Sequence, residues 1–153
     1  MQYRQLGKSG LLVSELSFGA MSYGAGGYWE VVGGLNISEA QRLTDIAIDG
    51  GINFFDTADV YSHGRSEEIL GETVKDKRNQ LVLATKVRGR MSKEINDVGL
   101  SRSHIIKSCE ESLRRLGTDF IDLYIVHSFD FITPLEETLS ALNCLVQQGK
   151  VRY

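Results

Sequence analysis

Asp56, Tyr61, Lys86 and His127 are the residues whose types and placement invite chemistry. Asp56 closes the apolar run INFF with Tyr61 five residues on, Lys86 follows LVLAT, and His127 follows FIDLYIV. Singly, each has an ordinary explanation: an aspartate after a strand forms turns, a loop tyrosine packs, a lysine reaches solvent and a histidine is satisfied in the core. Jointly, four proton-handling groups at one rim match what a nucleophile, acid or base needs with its orienting partners. A lysine at a strand end is also what Schiff-base chemistry of the class I aldolase kind requires, and the Asp56 and Tyr61 pairing argues against that alternative.

The elements that would deliver these groups alternate. Leu16 to Phe18, Ile52 to Phe55, Leu81 to Thr85 and Phe120 to Val126 read as short strands. Between them lie helical patterns. Leu43, Ile46 and Ala47 form an apolar stripe behind a capping box of Ser38 and Gln41. Ile106, Cys109, Leu113 and Leu116 follow the cap Ser101, while Leu135, Leu139, Leu142 and Val146 follow TPLE, read as a cap, a first-turn proline and a capping glutamate. Gly117 and Gly149 stand at helix stops. The stretch from Ser66 to Val74 predicts a shorter helix, and Lys-Ser-Gly within YRQLGKSGLLVSEL predicts a hairpin that caps one end. Strands joined by helices run parallel. The glycine-rich text after the first core strand, GAMSYGAGGYWEVVGG, does not match the dinucleotide-binding pattern G-x-G-x-x-G. A (β/α)8 barrel is therefore preferred over a doubly wound sheet, with its chemistry at the C-terminal ends of the strands.

Composition bounds the function classes. With 153 residues, 42% hydrophobic and 24% charged, the chain suits one ordinary domain. A net charge of -3 gives no electrostatic reason to expect nucleic acid or anionic membrane. The polar start MQYRQLGKSG lacks a signal peptide's apolar centre, no window reaches a membrane span, and a cytoplasmic location is expected. Cys109 and Cys144 lack metal-ligand spacing and read as small buried thiols, and His63 and His104 have no partners at metal spacing, so no metal is assigned.

Five stretches together resemble the aldo-keto reductases: LGKSGLLVSELSFGAM at 6–21, GINFFDTADVYSHGRSEEILG at 51–71, ATKV at 84–87, GLSRSHIIKSCEESLRRLGTDFIDLYIVH at 99–127 and TPLEETLSAL at 133–142. The GLSR and PLEETL segments are most similar to the aryl-alcohol dehydrogenase-like and potassium-channel β-subunit-like branches. The resemblance implies an NADP-dependent oxidoreductase that reduces aldehydes or ketones to alcohols reversibly, with Asp56, Tyr61, Lys86 and His127 as its catalytic tetrad. Tyr61 is then the acid in reduction and the base in oxidation. Physical chemistry fits those roles, because a phenol with an ordinary pKa near ~10 needs a nearby cation to work at neutral pH. Lys86 would supply it, Asp56 would hold that ammonium, and His127 would hydrogen-bond the carbonyl. The resemblance also implies NADPH or NADP held across the barrel mouth, with Gly19, Ala20, Met21 and Asp56 near its nicotinamide end. A non-catalytic regulatory subunit that binds nicotinamide nucleotide is the alternative from another class.

Tyr23, Tyr28 and Trp29 in the long loop are candidates for an aromatic wall over a small-molecule carbonyl substrate. Arg88 and Arg90 are candidates for meeting an anionic substrate, with solvated loop charges the blander reading. A complete barrel of this type takes about 250 residues. The segment 1–153 is accordingly expected to hold the N-terminal half, a hairpin and about four βα units, with GKVRY leading towards a fifth strand. Such a truncated barrel is expected to bind NADPH weakly and to self-associate through its open edges.

Overall fold

The computed structural model describes residues 1–25 and 31–153. Strands β1 (Tyr3–Gln5) and β2 (Leu12–Ser14) form the expected antiparallel hairpin, with Arg4 opposite Val13. Its turn closes through a hydrogen bond from the Leu6 amide to the Leu11 carbonyl at 2.8 Å. The hairpin is fastened beneath the main sheet: the Ser14 amide donates to Asn53 Oδ1 at 2.7 Å, and the Tyr3 hydroxyl donates to the Gly51 carbonyl at 2.8 Å.

The main sheet consists of β3 (Phe18–Gly19), β4 (Phe54–Asp56), β5 (Val82–Val87) and β6 (Leu123–Val126), all parallel and in sequential order. Four helices alternate with them: α1 (Ile37–Asp49), α2 (Arg65–Val74), α3 (Arg102–Leu116) and α4 (Leu135–Gln147). Each helix packs on the next, α1 on α2, α2 on α3 and α3 on α4. Sequential strand order with a continuous row of touching helices puts the whole row on one side of the sheet. A doubly wound sheet reverses its strand order and splits its helices between two faces, so the arrangement is that of a barrel wall.

Two-residue alternation sorts the side chains. Phe55, Leu83, Val87 and Tyr124 belong to the buried core between sheet and helices, with Leu70, Ile105, Leu116 and Leu145. Asp56, Lys86 and Ile125 fall on the opposite, inward face. Residues 150–153 continue as a fringe beside β6, where the Ile121 amide donates to the Lys150 carbonyl and the Tyr153 amide to the Asp122 carbonyl, each at 2.9 Å.

Several local expectations need correction. The cap of α1 is Asn36, whose side chain accepts from the Ser38 and Glu39 amides while Glu39 reaches back, so Ser38 and Gln41 are inside the helix. Its buried face is Ala40, Thr44 and Ala47; Ile46 is exposed. On α4 the buried positions are Thr138, Ala141 and Leu145, and the leucine stripe of Leu135 and Leu139 points to solvent. Thr133 does not cap α4, because its hydroxyl donates to Asp130 Oδ2 at 2.7 Å. Ser101 does cap α3, accepting from the His104 amide, and Gly117 ends that helix in the left-handed region at φ 63°.

Candidate active site

The C-terminal ends of β4, β5 and β6 bring Asp56, Lys86 and His127 to one rim. Pairing fixes their levels: Asp56 lies opposite Ala84, Lys86 opposite Ile125, and the His127 amide donates to the Val87 carbonyl at 3.0 Å. Lys86 Nζ lies 2.5 Å from Asp56 Oδ1 and 2.8 Å from the Thr57 carbonyl. The same ammonium stands 5.0 Å from the centre of the Tyr61 ring. Tyr61 meets His127 edge to face, with ring centres 5.7 Å apart and planes at 82°. All four groups are half-buried, neither sealed off nor freely solvated. Burial first and the Lys86 cation second hold His127 below its ordinary value, with Asp56 opposing them. The imidazole is therefore neutral at neutral pH, a ring with one N–H to donate.

Tyr61 reaches the rim through an unusual turn. Ser62, His63 and Gly64 follow it with φ of 47°, 52° and 89°, three consecutive left-handed residues. For the two that are not glycine this costs about 1–2 kcal/mol each. The turn is held from both sides: Ser62 Oγ donates to the Tyr23 carbonyl at 3.2 Å, and a Cβ on Gly64 would sit 2.6 Å from Arg115 Cδ.

Among the residues assigned to a cofactor, Gly19 and Met21 are exposed at the rim. Apart from its chain neighbours, no atom of the described residues lies within 4 Å of where a Gly19 side chain would begin, which leaves open space beside Asp56. Ala20 is fully buried; its amide donates to the Asp56 carbonyl at 2.8 Å and its carbonyl accepts from Ser66 Oγ at 2.6 Å. Thr57 completes this tie, its hydroxyl 2.8 Å from Ser66 Oγ.

The aromatic wall expected over the substrate is not built from Tyr23. That ring is fully buried, and its hydroxyl lies 2.7 Å from Thr44 Oγ1 and 3.1 Å from the Ala40 carbonyl. Tyr28 and Trp29 lie outside the described residues. Arg90 spends its guanidinium on the Ser92 and Glu94 carbonyls at 3.2 and 2.8 Å. The Arg88 Nε is buried with no hydrogen-bond partner among the described residues.

Three carboxylates escaped the sequence reading. Glu67 is fully buried on the sheet side of α2, bonded to Thr85 Oγ1 and Arg115 Nε, both at 2.6 Å. Asp59, also fully buried, has neither carboxyl oxygen within good hydrogen-bond geometry of a donor among the described residues. Burial, reinforced by the Glu67 carboxylate, pushes its pKa up to about 7. Asp130 accepts from the Leu100 and Ile132 amides at 2.8 and 3.0 Å as well as from Thr133. These bonds hold its carboxyl down at about 2 and leave Phe129, Phe131 and Ile132 projecting beside His127 in sequence. A charge falling on an otherwise uncharged helix face was the available signal for Glu67.

The barrel wall and the rim constellation define a class, and the comparisons agree with it. Residues 15–153 match the aldo/keto reductase family, and the chain belongs to that family. It is 41% identical over 157 residues to a probable voltage-gated potassium channel subunit beta of Arabidopsis thaliana, spanning 100% of this chain and 45% of that one. It is 40% identical over 173 residues to the versiconal hemiacetal acetate reductase of Aspergillus parasiticus, covering 100% and 50% respectively. The holo form of the aldo-keto reductase AKR11C1 from Bacillus halodurans superposes with a TM-score of 0.86 at 39% identity, over 100% of this chain and 49% of that structure. The chain thus spans about half the length of the relatives it matches, and its fold is that part of an aldo-keto reductase TIM barrel. No helix of the described residues is long and apolar enough to cross a membrane.

Proposed function

We propose that this chain carries the proton-handling half of an NADP-dependent oxidoreductase that interconverts aldehydes or ketones with alcohols. The observation that carries the reading is Lys86, whose ammonium sits between the Asp56 carboxylate at 2.5 Å and the Tyr61 ring at 5.0 Å, with His127 against the same ring. When bound, NADPH supplies the hydride. The open space beside Gly19 and Asp56 fits a nicotinamide end there, and Met21 and Asp56 would be its neighbours.

The roles follow from charge. Carbonyl reduction builds negative charge on oxygen, and Tyr61 donates its phenolic proton to that oxygen. Lys86 stabilises the phenolate left behind, and Asp56 keeps the ammonium aimed. The neutral His127 donates a hydrogen bond that fixes the carbonyl's approach. In oxidation the phenolate takes the proton back. The two free cysteines, one of them buried with its thiol pushed up to about 12, suit a reducing, cytoplasmic setting.

The test is NADPH consumption with aromatic and aliphatic aldehydes by this chain in its full-length context, then by Tyr61→Phe. We expect a loss of 10²-fold or more, the order of magnitude of acid catalysis; equal rates would sink the assignment of the acid. A second reading, a nicotinamide-binding regulatory subunit, is favoured by the likeness to potassium channel β subunits. It predicts nucleotide binding without turnover. The Schiff-base alternative fares worse: two Lys86 N–H groups are committed to a carboxylate and a carbonyl, whereas addition to a carbonyl needs a free amine.

A further inference from the structure

Thr85 and Lys86 are neighbours on β5 and point to opposite faces of the sheet. Behind the sheet, Thr85 Oγ1 donates to Glu67 Oε1 at 2.6 Å. The other oxygen of the same carboxylate accepts from Arg115 Nε at 2.6 Å. Arg115 lies against Gly64, so closely that a Cβ there would meet its Cδ at 2.6 Å and its Nε at 2.8 Å. Gly64 closes the left-handed turn that begins directly after Tyr61. One fully buried carboxylate therefore links the strand that carries the ammonium to the turn that carries the phenol, on the face away from both.

We infer that Glu67 is a positioning residue: through Thr85 and Arg115 it sets where the Tyr61 ring stands relative to Lys86 and His127. This rests on the reductase reading for its purpose but not for its geometry. A buried ion pair is weak evidence for stability, since apolar replacements often serve as well, and its best-attested use is to fix one arrangement among several. Here the arrangement needing to be fixed is specific. Ser62 and His63 hold left-handed conformations that a relaxed chain would abandon. Glu67 grips the arginine that packs on the end of that turn.

The readout is the shift that the Tyr61 ring current imposes on the His127 ring protons, the two rings standing near-perpendicular with their centres 5.7 Å apart. Tyr61→Leu defines the full contribution by nuclear magnetic resonance of the folded protein. We expect Glu67→Gln to lose most of that shift while the amide resonances of the β1–β2 hairpin stay in place. Thr85→Val, which removes only the hydroxyl bonded to Glu67, should lose a smaller part. A lowered melting temperature alone would fit any buried support, so it decides nothing. An undiminished shift in folded Glu67→Gln overturns the inference, and Thr85→Val decides by the same criterion if the first variant does not fold. NADPH consumption by the parent in its full-length context separates the two claims. A lost shift with no parental turnover keeps the linkage and removes the reductase reading, whereas parental turnover with an unmoved shift removes the linkage alone.

Discussion

At Asp59 the chain holds a carboxyl at 0% exposure, three residues after Asp56 and two before Tyr61, with neither oxygen hydrogen-bonded among the described residues. Its pKa of about 7 means the folded state keeps a proton that the unfolded state has already released. Between the ordinary value of 3.8 and about 7 the native protein therefore binds more protons, and stability falls as pH rises through that window. Asp59→Asn removes the titration while preserving shape. We expect it to match the parent near pH 4 and to exceed it above pH 7 by up to about 4 kcal/mol, the equivalent of roughly three pKa units. Urea midpoints measured across pH check this; a parent whose stability advantage over Asp59→Asn grows with pH would contradict it. Asp130 behaves oppositely. Its depressed carboxyl contributes stability that is complete above 3.8 and is lost as pH falls through about 2.

Among the elements, α2 packs tightly against the C-terminal end of α3. A Cβ on Gly71 would stand 2.4 Å from the Leu116 carbonyl oxygen, backbone that no rotamer change can move aside. Gly71→Ala is expected to cost about 1–3 kcal/mol despite alanine's better helix propensity, as overpacking does. Thermal unfolding of the folded variant measures it, and a rise in the melting temperature would show that the helices separate freely. How far the elements were legible follows from similar local facts. The rim residues could be read because Asp56, Lys86 and His127 each close an apolar run and Tyr61 follows one in its loop, and Ser101 and Gly117 because cap and stop each stand alone. Asn36 was missed because Ser38 with Gln41 fits a capping box as well as Asn36 with Glu39, and only backbone geometry separates them. Periodicity placed α4 without naming its buried side, since the smaller residues Thr138 and Ala141 face the core with Leu145 while Leu135 and Leu139 do not. Glu67, Asp59 and Arg115 meet across different elements, which no spacing along one element reveals.

For the whole molecule, Leu135, Leu139 and Val146 leave an exposed apolar row on α4, the last helix of the row. Apolar surface of this kind drives association when nothing covers it. The 153-residue chain is therefore expected to sediment with a concentration-dependent mass, and Leu139→Glu to lower that mass without changing its fold. A chain that remains monomeric at high concentration would count against this. Sheet order has a further consequence. Among the described residues, the strands from β3 to β6 pair with their neighbours in the chain and the helices pack on one another in the same order, so the wall grows by repetition of one step. Assembly of these four strands can then proceed like closing a zip, each unit docking on a finished edge over a loop of modest length. The order in which residues leave a ribosome is also the order in which they find their places, and Asp56 can meet Lys86 before His127 has been synthesised.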